Sequence, residues 1–185
     1  GNIGELAMEM DLFSTAKLWH LQAFRIDLQA EHRDGIVRRL YALGLVNYRM
    51  DNLELCRDQC QRALKLIRHW QTGEYAAPLW LTKARALYKL GEVAAASDAA
   101  NEARAAWELQ ALPSVGPETL ALKVYLAVKQ GEMDQQTAIA QLSEAADSVK
   151  RDELLSVAEL STALWKLTNS STYRKLAAKA LEQHV

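Results

Sequence analysis

Leu43-Gly44-Leu45-Val46-Asn47-Tyr48-Arg49-Met50-Asp51-Asn52-Leu53-Glu54-Leu55-Cys56-Arg57-Asp58-Gln59-Cys60-Gln61-Arg62-Ala63 is the stretch on which the fold turns. Apolar residues recur in it at three- and four-residue spacing on either side of Asp51-Asn52, the pattern of two amphipathic helices joined by a tight turn. The same pattern stands forty residues away in both directions. Gly44 is matched by Gly4 and Ala84, Asp51 by Asp11 and Gly91, Cys56 by Ala16 and Ala96, and Ala63 by Ala23 and Ala103. The matched residues are small or turn-forming, as close helix pairs require. A fixed period between 20 and 50 residues marks a stacked repeat architecture.

Outward from this core the chain reads as ten helices and no strands. The first ends near Met10. The next five span roughly 12–31, 34–50, 52–70, 74–90 and 92–110, and the last four span 117–130, 134–149, 152–168 and 171–183. Asp34-Gly35 reads as a turn and cap signal, and Asp51-Asn52 and Gly91-Glu92 as the connections inside helix pairs. The Pro113-to-Pro117 segment is the one clear interruption, with Pro117 suited to a first helical turn. Gly131 keeps the fourth copy in register. Its second helix fits with two extra residues, which places Ala138, Leu142 and Ala145 in the columns of Ala96, Ala100 and Ala103. The fifth copy is weaker, as end repeats usually are.

Leu43-Gly44, Tyr48, the Asp51 turn, Cys56, Cys60 and Ala63 resemble the tetratricopeptide repeat (TPR), and so do Trp80, Ala84, Tyr88, Gly91, Ala96, Ala100 and Ala103. The likeness covers nearly the whole chain as about four and a half repeats, approximately 1–31, 34–70, 74–110, 117–149 and 152–183. The period is forty rather than the usual thirty-four. Cysteine or alanine replaces the large residue of the second helix, and the final proline of the motif is missing. Repeats of this length are similar to those of bacterial signalling and regulatory proteins and of kinesin light chains. The resemblance implies an all-α superhelix of antiparallel helix pairs, TPR-like, with first helices lining the concave side. The expectation is one helical-repeat domain, 1–185, excised from a longer protein.

Composition narrows the function. The net charge of −1 gives no global reason to expect nucleic acid or an anionic membrane as partner. No run of eighteen apolar residues suggests a membrane helix. Nucleotide-binding, serine-hydrolase and zinc-protease motifs are missing, so neither an enzyme nor a cofactor is expected. Cys56 and Cys60, the only cysteines, lie one helical turn apart without a second ligand pair, so they read as core residues rather than half a zinc site. His20 aligns with Cys60 and reads the same way. The five tryptophans read as packing anchors, with Trp70 and Trp107 partly exposed. A reducing cytoplasm suits such a chain.

The resemblance also supplies a candidate binding surface, because the family's groove is lined by first-helix positions. By register these include Arg38, Tyr41, Tyr48 and Arg49, then Arg85, Tyr88 and Lys89, then Tyr125 and Lys129. Arginine forks suit carboxylates, and tyrosine adds apolar contact with a polar tip. The expected function is a scaffold that binds a protein or peptide, acidic in character, in a basic, tyrosine-containing groove. The chaperone-tail clamp of the family is not expected, since Asn47 falls one position off. The alternative is an oligomerisation or interdomain module of a larger regulator. On that reading the incompletely covered face of helix 12–31 (Phe13, Leu18, Leu21, Leu28) pairs with another chain, as in a homodimer, or with the missing segment.

Overall fold

The computed structural model describes residues 2–110, 116–149 and 154–184. Among them are ten helices and no strand: α1 (Asn2–Glu9), α2 (Phe13–Gln29), α3 (Arg33–Arg49), α4 (Leu53–Trp70), α5 (Ala76–Lys89), α6 (Val93–Gln110), α7 (Gly116–Gln130), α8 (Gln135–Ser148), α9 (Leu154–Thr168) and α10 (Ser171–His184). Most of the interrupting segment, 111–115, and the expected start of the ninth helix lie outside the described residues.

The helices form two compact parts, Gly1–Gln110 and Ala111–Val185. In the first, each helix packs on the next from α1 to α6, and α3 also touches α5. In the second, α7 packs on α8, α8 on α9 and α9 on α10, while α7 also touches α9. Contact between alternate helices is what stacking of successive pairs requires. The larger core gathers Ile36, Val37 and Leu40 of α3, Cys56, Cys60, Ala63 and Leu64 of α4, and Leu79 and Ala86 of α5. The second part has its own, built on Ala121 and Val124, Ala138 and Leu142, and Leu160, Ala163 and Leu164. Ala138 and Leu142 are fully buried, which supports the two-residue shift read for the fourth repeat.

The turn column has one backbone geometry. Asp11, Asp51, Gly91 and Gly131 have φ of 56°, 60°, 82° and 75°. In each case the following N–H donates to a carbonyl five residues back: Leu12 to Ala7 (2.8 Å), Asn52 to Asn47 (2.8 Å), Glu92 to Leu87 (3.0 Å) and Glu132 to Ala127 (2.9 Å). This is the left-handed helix stop that glycine adopts without a Cβ penalty. The connection between repeats uses it too, with Glu31 at φ 50° and His32 N–H donating to Asp27 (2.9 Å). An L-residue with a side chain costs about 1–2 kcal/mol there. Asp11→Gly should therefore raise stability by about 1 kcal/mol, read as a higher urea midpoint at unchanged slope. An unchanged or lowered midpoint would show that Asp11 gains more from its side chain than it loses in strain.

One turn is not where the sequence suggested. Gly35 lies inside α3 and is buried; the chain reverses at Glu31-His32 instead. A Cβ on Gly35 would sit 2.6 Å from both the Asp27 carboxyl and the His32 ring. The glycine is there to admit a side chain from α2, not to bend the backbone.

The small columns interlock. A Cβ on Gly4 would stand 2.9 Å from the His20 ring, and one on Gly44 would stand 3.1 Å from Cys60 Sγ. The third repeat has Ala84 and Ala100 at these positions, both fully buried. Where the second helix brings an imidazole or a thiol, the first helix has given up its methyl.

Candidate functional site

The solvent side of α3 is the stripe the register marks out. Arg38 and Arg49 are exposed, and Tyr41, Leu45 and Tyr48 between them are half-buried. Spacings of three and four residues put all five on one helix face. Tyr41 packs against Tyr75, just ahead of α5, with ring centroids 5.6 Å apart and the planes tilted by 42°. Burial pushes the Tyr75 phenol above its ordinary range, so it remains a hydrogen-bond donor. On α5, Arg85 and Tyr88 are half-buried and Lys89 is exposed. Lys89 Nζ lies 4.7 Å from the Tyr48 ring centre, which joins the α3 and α5 stripes. In the second compact part, Tyr125 stands between two cations, with Lys129 Nζ at 5.6 Å and Lys166 Nζ at 5.3 Å from its ring centre.

One carboxylate enters the stripe expected to be basic. Asp51, read as a turn residue, accepts a hydrogen bond from Lys89 at 3.1 Å. Its left-handed conformation aims the carboxylate across to α5, so Lys89 is already paired. Arg38 and Arg49 are the exposed cations of the α3 stripe. Asn47 is buried, takes a hydrogen bond from Lys17 (3.2 Å) and donates one to Gln59 (2.6 Å), so it is no groove residue.

Sequence reasoning missed a buried charge cluster. Arg39 is only 4 % exposed. Its Nε donates to Asp27 Oδ2 at 3.3 Å, and His32 contacts the other Asp27 oxygen at 3.3 Å. The nearest further carboxylate, Glu5, is 4.0 Å from the guanidinium. The register turns Arg38 outward but does not reveal what Arg39 meets inside; the Gly35 gap that admits Asp27 supplies its carboxylate. Lys83 was also missed. It donates to Gln61 (2.6 Å) and sits 4.6 Å from the Trp80 ring centre, and burial lowers its pKa.

His20 is fully buried, and its Nδ1 has no hydrogen-bond partner. Burial first, and then the nearby Arg39 charge, hold its pKa below 6.5. A lowered folded-state pKa means that the unfolded chain binds the proton more readily. The stability this ring contributes is therefore complete above about pH 6.5 and is lost as pH falls through the lower folded value. His20→Ala, the residue type at Ala100, should flatten the pH dependence of unfolding below pH 6.5. Parallel curves for the two proteins would contradict this. Cys56 and Cys60 are both buried. The hydrogen bond from the Cys60 thiol to Cys56, and then burial, push the Cys60 pKa well above its ordinary range, so it stays protonated and inert. Among the described residues no three His, Cys, Asp or Glu side chains are grouped to hold a metal, and no helix is long and apolar enough to cross a membrane.

No family model and no curated protein matches the chain. Solved structures do. A Podosopora anserina protein described as a kinesin light chain of nearly identical TPR-like repeats matches over 98 % of this chain and 90 % of its own, at 15 % identity and a TM-score of 0.65. A single-substitution variant of it matches over 98 % and 89 %, at 15 % identity and a TM-score of 0.66. Identity this low speaks to architecture alone. With the forty-residue register, the stacked helix pairs and the repeated helix stops, the likeness establishes that the chain has a TPR-like helical-repeat fold.

Proposed function

We propose that this chain is a binding scaffold whose α3 and α5 stripes take an acidic segment of another protein. Repeat folds of this kind generally mediate protein–protein contact, with function carried by the exposed faces rather than the fold. The observation that carries the reading is the pairing of exposed Arg38 and Arg49 with the half-buried rings of Tyr41 and Tyr48 on a single face. A carboxylate gains a charge-assisted hydrogen bond from each guanidinium, and the rings offer apolar area at little entropic cost. The occupied Asn47 argues against a clamp for a chaperone tail. The long repeat supports placing the chain in a regulatory or signalling protein, and two reduced cysteines suit the cytoplasm.

Selection from a random peptide library tests this. Enriched peptides are expected to carry two or more Asp or Glu and to be lost when Arg38→Glu/Arg49→Glu is the bait. Enrichment of neutral or basic sequences, or retention by the variant, would refute the reading.

A second reading is self-association, favoured by the apolar exposure of the N-terminal helices. Ile3, Leu6 and Met10 of the first repeat, and Leu18, Leu21 and Leu28 of α2, are exposed. Phe13, expected to belong to that face, instead packs against Ala7, Ala16 and Val46. Trp19, expected to be an anchor, is exposed too.

A further inference from the structure

The α2 surface departs from its sister helices in a way that the repeat makes visible. Leu18, Leu21 and Leu28 occupy columns that are polar in the next two copies. Asp58 and Asp98 stand at the first, Gln61 and Asn101 at the second, and Arg68 and Glu108 at the third. Asp58, Asp98, Arg68 and Glu108 are exposed, so the first and third columns belong to the water-facing back of the solenoid. In the first copy they carry leucine, and Leu18, Leu21 and Leu28 are 64 %, 38 % and 47 % exposed. Stacking of repeats does not cover this back face, so a further repeat does not explain the leucines. They lie opposite the buried side of α2, where Ala16, His20 and Asp27 face the core.

The spacing defines a seam. Leu18, Leu21, Arg25 and Leu28 follow each other by three, four and three residues, the a/d pattern of a helix that packs along another helix. The seam is about 15 Å long, and Trp19 and Ile26, both exposed, widen it along one edge. Arg25, also exposed, selects the partner's direction. In a parallel pair of identical helices Arg25 would face the partner's Arg25, a like-charge contact in the middle of an apolar seam. In an antiparallel pair, related by a two-fold axis at Ala23, Leu18 meets the partner's Leu28 and Leu28 meets the partner's Leu18. Arg25 then lies over the partner's Leu21, where its aliphatic stem packs and its guanidinium reaches water. The sequence of the seam is thus self-complementary in one orientation, as a two-fold interface requires.

We infer that two copies of this protein dimerise through antiparallel packing of α2, along Leu18, Leu21, Arg25 and Leu28. The inference rests on the self-association reading and adds to it the element, the direction and the residues in contact. It leaves the α3 and α5 stripes free, so each dimer carries two of the proposed binding faces.

Sedimentation and cross-linking test this together. The protein should shift from monomer to dimer across about a hundredfold rise in concentration. Leu18→Asp/Leu28→Glu, which installs the residue types found at Asp98 and Glu108, should stay monomeric with unchanged helicity. For direction, Leu18→Cys and Leu28→Cys proteins are mixed under oxidising conditions; the native thiols are buried. Disulfide should form between the two different variants and not within either one alone. A wild-type protein that stays monomeric overturns both the seam and the self-association reading. A dimer that survives Leu18→Asp/Leu28→Glu, or cross-linking of Leu18→Cys with itself, overturns the seam and leaves self-association standing.

Discussion

Asp27→Ala is expected to destabilise the first compact part by about 3–5 kcal/mol, the range for removing one partner of a buried ion pair. Arg39 lies beneath α2 with almost no exposure, and Asp27 is the carboxylate within hydrogen-bonding distance of it. One guanidinium nitrogen is buried without a hydrogen bond even in the intact protein. Without Asp27 the carboxylate left near the charge, among the described residues, is Glu5, at 4.0 Å and largely in water. Glu5→Ala should therefore cost under about 1 kcal/mol, as solvent-screened pairs do. Arg39→Met in the Asp27→Ala background should recover much of the loss, because it removes the stranded charge while keeping the packing volume. Urea unfolding of the four proteins reads this directly. Equal, small effects of Asp27→Ala and Glu5→Ala would show that Arg39 is solvated in a way its burial denies.

The second large effect concerns the α3–α4 crossing. Gly44→Leu should cost about 3 kcal/mol, at the upper end for overpacking a tight core. The helices approach so closely that even a methyl would lie 3.1 Å from Cys60 Sγ. Gly44→Ala is a milder case: it gains about 1 kcal/mol of helix propensity and spends much of that against the sulfur. Combining it with Cys60→Ala reproduces the Ala84 and Ala100 pairing of the third repeat. The double variant should be more stable than the two single changes sum to, by about 1 kcal/mol of coupling. Strict additivity would mean that the size compensation between the columns is accidental.

These two sites mark what the sequence makes legible and what it does not. Gly4, Gly44 and Ala84 could be read because the crossing they serve repeats every forty residues. The same holds for Asp11, Asp51, Gly91 and Gly131, whose shared positive φ makes one turn four times over. Asp27, Gly35 and Arg39 could not, since the corresponding positions Ile67, Tyr75 and Leu79 are no second copy of the cluster. A period reveals what every repeat needs and is silent on what one repeat does alone. The exposure of Arg38 and Arg49 was legible because it follows helical spacing. The neutralisation of Lys89 was not, since it depends on where a left-handed Asp51 sends its carboxylate. The apolar back of α2 shows the reverse. Its leucines are ordinary in isolation and become informative only beside Asp58, Asp98, Arg68 and Glu108.

The most direct test of the scaffold reading compares two charge reversals of equal size on different faces. Arg38→Glu/Arg49→Glu alters the α3 stripe, and Arg62→Glu/Arg68→Glu alters exposed arginines of α4. An acidic peptide taken from the library selection is titrated into each variant and followed by calorimetry. The α3 variant should lose on the order of tenfold or more in affinity, the equivalent of one or two charged hydrogen bonds. The α4 variant should change about twofold or less. Equal losses in both, or a loss confined to α4, would contradict the α3 stripe as the binding face.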